Sequence, residues 1–145
     1  THPTPKFADL MRAASPKLVV VEEGANFASG YADASVRSQI REMLAVIQQY
    51  HPICIWVGAP TMRKFPPAQF DRIYETLKSE LGTACTLVDS RKVTSYPPTG
   101  GDGVHYWFPK GSQVAKTWAD SVFAIVKKRL AGVALDSQDP IYTGR

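Results

Sequence analysis

The sequence predicts an α/β protein built on a parallel sheet, and two features indicate this class. Helix-like and strand-like segments alternate along the 145 residues. The strand-like segments are continuous apolar runs, of which residues 18–21 (LVVV) are the clearest. Such runs suit strands that are buried on both faces, as in parallel sheets. We therefore expect one α/β domain over residues 1–131 and an extended tail over 132–145.

Seven segments are predicted to be regular, and proline and glycine separate several of them. In order they are a helix over 6–14, a strand over 18–21, a helix over 35–50, a strand over 53–58, a helix over 67–81, a strand over 85–89 and a helix over 110–130. In the three long helices, apolar residues recur three and four positions apart, which gives each helix one face to bury. Pro16 and Pro52 end the first two helices, Pro67 suits a helix start, and Gly82 suits a helix stop.

The carboxyl ends of the predicted strands carry the unusual loops of the chain. Parallel strands bring these ends to one edge of the sheet, where ligands bind in α/β folds. We expect one active-site rim there, which includes Asp102 and His105 from the long loop after the third strand. A run as apolar as residues 18–21 is normally central, yet no other segment reads as a partner for its second side. The sheet is therefore expected to lack one or two strands that precede residue 1.

Two short patterns on this rim suggest chemistry. Asp102 and His105 have a spacing that lets a carboxylate hold an imidazole in one tautomer, as a general base requires. Asn26 directly follows a buried strand, so its amide could donate a hydrogen bond to a developing oxyanion. Each pattern also has a structural interpretation, in which Asp102 caps a turn or Asn26 bonds its own loop.

Together these features resemble the SGNH hydrolases, also called the GDSL family. The strand-end Gly-x-Asn motif of the family is matched at residues 24–26, and its late Asp-x-x-His motif at 102–105. The resemblance implies a flavodoxin-like, three-layer α/β/α architecture. It also implies that Asn26 belongs to the oxyanion hole and that Asp102 and His105 are the acid and base of a catalytic triad.

The chain departs from the family pattern at two points. The resemblance covers about residues 8–128, and Phe27 stands where the family commonly has Asp. The Gly-Asp-Ser block with the nucleophile precedes the Gly-x-Asn strand in the family, and residues 1–17 do not contain it. The serines considered as replacements from within the chain are Ser29, Ser90 and Ser112.

The expected function is therefore that of a serine esterase for short acyl esters, O-acetyl groups on carbohydrate among them. The nucleophile would come from an upstream segment or a companion chain that completes the sheet. The residues expected to form the substrate pocket are Gly24, Tyr31, Tyr106 and Trp107. Two alternatives stay open: a non-catalytic binding or assembly module, and an acyltransferase that uses the same residues. No cofactor is implied.

Composition and spacing argue against several other classes. The net charge of +4 is mild and its basic residues are scattered, which does not favour a nucleic-acid partner. No apolar run approaches the roughly 20 residues that a membrane-spanning helix needs. The three histidines are far apart and no Cys-x-x-Cys pair occurs, so no metal site is expected. Cys54 and Cys85 are expected as two unpaired buried thiols, with a disulfide as the alternative if their strands are neighbours.

Overall fold

The computed structural model describes residues 6–29 and 33–133, and the predicted order of elements is confirmed there. The helices are α1 (Phe7–Ala14), α2 (Asp33–Gln48), α3 (Pro67–Leu81) and α4 (Pro109–Leu130), and the strands are β1 (Leu18–Glu22), β2 (Ile53–Val57) and β3 (Thr86–Val88). Short 3₁₀ helices, Ala25–Ser29 and Ser90–Lys92, follow β1 and β3. Most of the predicted tail, residues 134–145, lies outside the described residues.

The three strands form a parallel sheet in the order β1-β2-β3. Leu18 pairs with Ile53 and Val57 with Val88, so the strands end together at their carboxyl edge. The central position expected for β1 belongs to β2, since within the described residues β1 pairs on one side only. The side chain of Val20 is accordingly 45% exposed, although its sequence context is that of a buried strand.

Helices cover both faces of the sheet, which makes three layers. On one face, α1, α2 and α3 pack against Val19, Val21 and Trp56. On the other face, α4 packs against Ile55 and Val57. The apolar stripes predicted for α2 and α3 are confirmed as buried, namely Val36, Ile40, Leu44 and Ile47 of α2 and Phe70, Ile73, Tyr74, Leu77 and Leu81 of α3.

The two cysteines form a disulfide, so the expectation of unpaired thiols is wrong. Cys54 lies at the start of β2 and Cys85 immediately precedes β3, with their Cα atoms 4.5 Å apart. The cause is the strand register, because Ile55 pairs with Thr86 and the preceding residues are therefore side by side. Both cysteines are buried under α2 and α3.

Candidate active site

Neighbouring side chains hold the loop that carries Asp102 and His105. The Tyr96 hydroxyl donates to the carbonyl of His105 (2.9 Å) and accepts from the backbone N–H of Gly103 (3.0 Å). The Arg63 guanidinium donates to the carbonyl of Gly100 at 3.1 Å and reaches the carbonyls of Pro97 and Gly101 as well. The side chains of Arg63 and Tyr96 therefore hold the turn around Asp102 and His105 in place, although the loop is rich in proline and glycine.

The Asp102 carboxylate contacts both the backbone and the imidazole of the same turn. Its Oδ1 accepts from the N–H groups of Val104 (2.9 Å) and His105 (2.8 Å), and its Oδ2 lies 2.6 Å from Nδ1 of His105. An ionised carboxylate only accepts hydrogen bonds, so the proton of the neutral imidazole resides on Nδ1 and leaves Nε2 as the basic nitrogen. The bond to the His105 side chain, followed by the two backbone N–H groups, holds the pKa of Asp102 well below its usual range.

A cavity of about 530 Å³ lies beside His105. It is open to solvent and is lined by the carboxyl end of β1, the 104–107 segment and the first turns of α4. Tyr106 and Trp107, two of the residues predicted for the substrate pocket, line it together with His105. The Tyr106 hydroxyl bonds the carbonyl of Thr61, which fixes the ring at the cavity wall, whereas Trp107 is 76% exposed at its mouth.

Gly24 and Asn26 follow β1, as predicted, but neither the predicted pocket residue Gly24 nor Asn26 lines the His105 cavity. Gly24 is buried with φ at +127°, a conformation that favours glycine. Asn26 is exposed in the 3₁₀ helix and lines a separate cavity of about 260 Å³ with Phe27 and Trp56. Trp56 packs in the α2 and α3 layer, so this second cavity belongs to the other face of the sheet. The oxyanion role of Asn26 stays a prediction.

The other residues predicted for the site are Tyr31 and the candidate serines, and the structure describes only some of them. Tyr31 lies outside the described residues. Ser90 is fully buried: its Oγ accepts from Nε1 of Trp118 at 2.8 Å, which makes it part of the packing under α4. Ser112 is exposed in the first turn of α4 and lines the His105 cavity. Among the side chains that the structure describes, those of residues 6–28 and 33–133, no hydroxyl group is hydrogen-bonded to the imidazole of His105.

The cavity wall also contains residues that the sequence does not assign to the site, and Glu22 and Trp118 are the most informative of them. Glu22 ends β1 on the same face as Leu18 and Val20, because side chains alternate along a strand. Trp118 belongs to the apolar stripe of α4. The alternation of side chains along β1 predicts from the sequence that Glu22 lies on the same face as Leu18 and Val20. The position of Trp118 at a cavity depends on how α4 lies on the sheet.

The described part of the chain offers no metal site and no membrane-spanning helix. Among those residues, no group of three or more His, Cys, Asp or Glu side chains is arranged to hold a metal ion. No helix of that part is both long and apolar enough to cross a membrane. Comparison of the sequence and the structure with family models, curated proteins and solved structures gives no match.

Proposed function

We propose that this chain carries the acid–base half of an SGNH-type serine esterase active site. The observation that carries the proposal is the contact of 2.6 Å between Oδ2 of Asp102 and Nδ1 of His105 beside a cavity. The carboxylate orients the imidazole and selects its tautomer, as the acid of a catalytic triad does. Both side chains reach solvent, with His105 66% and Asp102 44% exposed, so a substrate can approach them.

In the proposed mechanism, Nε2 of His105 takes the proton of a serine hydroxyl as the serine oxygen attacks the ester carbonyl carbon. The tetrahedral intermediate collapses when the bond to the alcohol oxygen breaks, and His105 returns the proton to that oxygen. A water molecule then attacks the acyl-serine with His105 again as the base, which releases the acid. Asp102 stays ionised throughout and stabilises the imidazolium. Asn26 remains the oxyanion donor that the family resemblance implies, a contact typically worth about 10²–10³ in rate, although it lines the separate cavity in this structure and would have to reach the carbonyl beside His105.

The nucleophile is proposed to come from a segment outside residues 1–145 that pairs with β1. A strand added in parallel to the outer side of β1 would end at the same edge as Glu22, which lines the His105 cavity. The exposed side chain of Val20 on the α4 side of β1 supports an added strand there, because it would gain a neighbour. The proposed substrates are short acyl esters, with O-acetyl groups on carbohydrate as the first class to test.

The second candidate is a non-catalytic binding or assembly module. The observation in its favour is that no hydroxyl group of residues 6–28 and 33–133 is hydrogen-bonded to the His105 imidazole. In this case the Asp102–His105 pair would only shape the loop, and the outer side of β1 would bind a partner strand.

The experiment is fluorophosphonate labelling of the protein from its natural source, with any companion chain retained, followed by intact mass spectrometry. An adduct on an upstream extension or companion chain supports the esterase with a nucleophile from outside this chain. An adduct on a serine within residues 1–145 overturns the proposed source of the nucleophile. No adduct on folded protein favours the module. The matched control is His105→Ala, which should label far more slowly because the serine loses its base.

A further inference from the structure

Three aromatic rings and one carboxylate line the cavity beside His105. The rings belong to Tyr106, Trp107 and Trp118, and the carboxylate belongs to Glu22. The cavity volume of about 530 Å³ lies within the range of small-molecule sites. Aromatic faces together with a negative charge are the groups that recognise organic cations, because the face of each ring carries negative electrostatic potential.

Two of the rings are held in place by contacts outside the cavity. The Trp118 indole donates from Nε1 to Oγ of Ser90 at 2.8 Å, which anchors it to a buried residue at the start of the 3₁₀ helix after β3. The Tyr106 hydroxyl bonds the carbonyl of Thr61, and its ring meets the ring of Tyr96 edge to face with centroids 4.9 Å apart. These walls exist before any ligand arrives. Trp107, at 76% exposed, can close over a ligand at the mouth.

Glu22 has no positive partner within the described part of the chain. None of the ion pairs or side-chain hydrogen bonds there includes its carboxylate. Glu22 is exposed to solvent on one side, and the partial loss of solvent around its carboxyl group, followed by the adjacent charge of Glu23, raises the pKa of Glu22. A cation in the cavity would relieve both effects. A neutral apolar ligand would instead leave a carboxylate with still less solvent, which is unfavourable.

We propose that this cavity binds a quaternary or alkylated ammonium group, held between Glu22 and the rings of Trp107 and Trp118. The inference deepens the proposed esterase and rests on it for one point only: the bound cation would belong to the alcohol half of an ester whose carbonyl faces His105. Binding of the cation itself needs no nucleophile and is therefore tested without turnover.

The test is isothermal titration calorimetry of the full chain with choline and with its neutral isostere, in which a tert-butyl group replaces the trimethylammonium group. Choline should bind on the order of tenfold more tightly than the isostere. Glu22→Gln should abolish this preference, and Glu23→Gln, which alters the next carboxylate along the chain, should keep it. Trp107→Leu should weaken choline binding, whereas Phe123→Leu, at an exposed aromatic position on α4 outside the cavity, should not.

Each outcome separates the two proposals. Three outcomes would overturn the cation site and leave the esterase proposal unaffected. The two compounds could bind equally well, choline could show no saturable binding, or the preference for choline could survive Glu22→Gln. Choline binding with the expected variants, together with no fluorophosphonate adduct on the natural preparation and its companion chains, supports the cation site and favours the binding module over the esterase. Thermal unfolding of Glu22→Gln at the wild-type temperature shows that its loss of binding does not come from misfolding.

Discussion

At the residue scale, the two oxygens of Asp102 have separable roles. Oδ1 accepts the two backbone N–H groups that close the turn, and Oδ2 holds the imidazole of His105. Gly101, next to it, has φ at +62°, and a Cβ there would lie 2.5 Å from the Phe108 ring and from the Tyr96 hydroxyl. The turn therefore needs glycine at 101 for space and a carboxylate or amide oxygen at 102 for its hydrogen bonds. Only the imidazole requires a carboxylate.

The first prediction uses this separation, in a preparation that contains the nucleophile. His105→Ala should abolish esterase activity and leave the thermal midpoint within a few degrees, because the side chain is largely exposed. Asp102→Asn should keep the turn, since an amide oxygen also accepts N–H bonds, yet its NH₂ would favour the wrong imidazole tautomer. A fall in kcat of about 10⁴-fold is expected. Activity that simply follows the folded fraction in both variants would contradict a catalytic role.

At the scale of elements, an ion-pair network joins α2 to α3. Glu80 of α3 is bonded by Arg41 and Arg37 of α2 at 2.6 and 2.7 Å, and its side chain is only 7% exposed. The hydrogen bonds from Arg41 and then Arg37 lower the pKa of Glu80 from 4.5 to about 2. Because the pKa of the folded state is lowered, the stabilisation is complete above pH 4.5 and disappears as the pH falls towards 2.

The second prediction follows from the lowered pKa of Glu80, which makes the stabilisation by the ion pairs depend on pH. Glu80→Gln should melt a few degrees below the wild type at pH 7, and the difference should vanish near pH 2 as the wild-type carboxyl becomes protonated. Thermal unfolding followed by circular dichroism over this pH range measures it. Glu75→Gln, on the same helix, is the control and should change neither curve. A difference that does not depend on pH would show that the network contributes through packing alone.

A buried tyrosine links α3 to the loops that follow β2 and β3. The Tyr74 hydroxyl donates to the carbonyl of Ala59 at 2.9 Å and accepts from the N–H of Ser90 at 3.0 Å. Burial raises the pKa of Tyr74 to about 12, so the hydroxyl stays protonated and can donate. The loops behind the His105 cavity are therefore attached to the helix layer on the opposite face of the sheet.

The third prediction is that Tyr74→Phe destabilises the fold by about 1–3 kcal/mol, since the N–H of Ser90 is left buried without its partner. Urea unfolding gives the free energy, and Tyr50→Phe, at a half-buried tyrosine on the same side of the sheet, serves as the control. An unchanged free energy of unfolding in Tyr74→Phe would mean that water replaces the hydroxyl.

At the scale of the whole molecule, a disulfide links β2 to β3, whereas β1 is joined to the sheet by hydrogen bonds and packing alone. The disulfide between Cys54 and Cys85 spans 31 residues and ties β2 to β3 beneath α3. On the opposite side, β1 presents an edge that pairs with no strand among the described residues. The covalent link thus lies away from the side where we propose that the nucleophile enters.

The fourth prediction concerns this link. Replacing both cysteines by alanine should lower the free energy of unfolding by about 2–4 kcal/mol, chiefly because the unfolded chain regains the freedom of a closed loop. Urea unfolding measures the change, and alkylation of the denatured wild-type protein with and without reductant counts its thiols. Two thiols that alkylate without reductant would show that the bridge does not form.

The sequence by itself determined the order of helices and strands and the buried faces of α2 and α3, and it indicated the pairing of Asp102 with His105, because each depends on residues only a few positions apart. The tertiary structure decided that β2 is central, that Cys54 and Cys85 meet, and that Glu22 and Trp118 share the cavity of His105 while Asn26 lines another. These relations join segments far apart in the sequence. They are set by strand order, by register and by the face of the sheet on which each helix packs. The spacing of apolar residues within one segment does not predict any of these three properties.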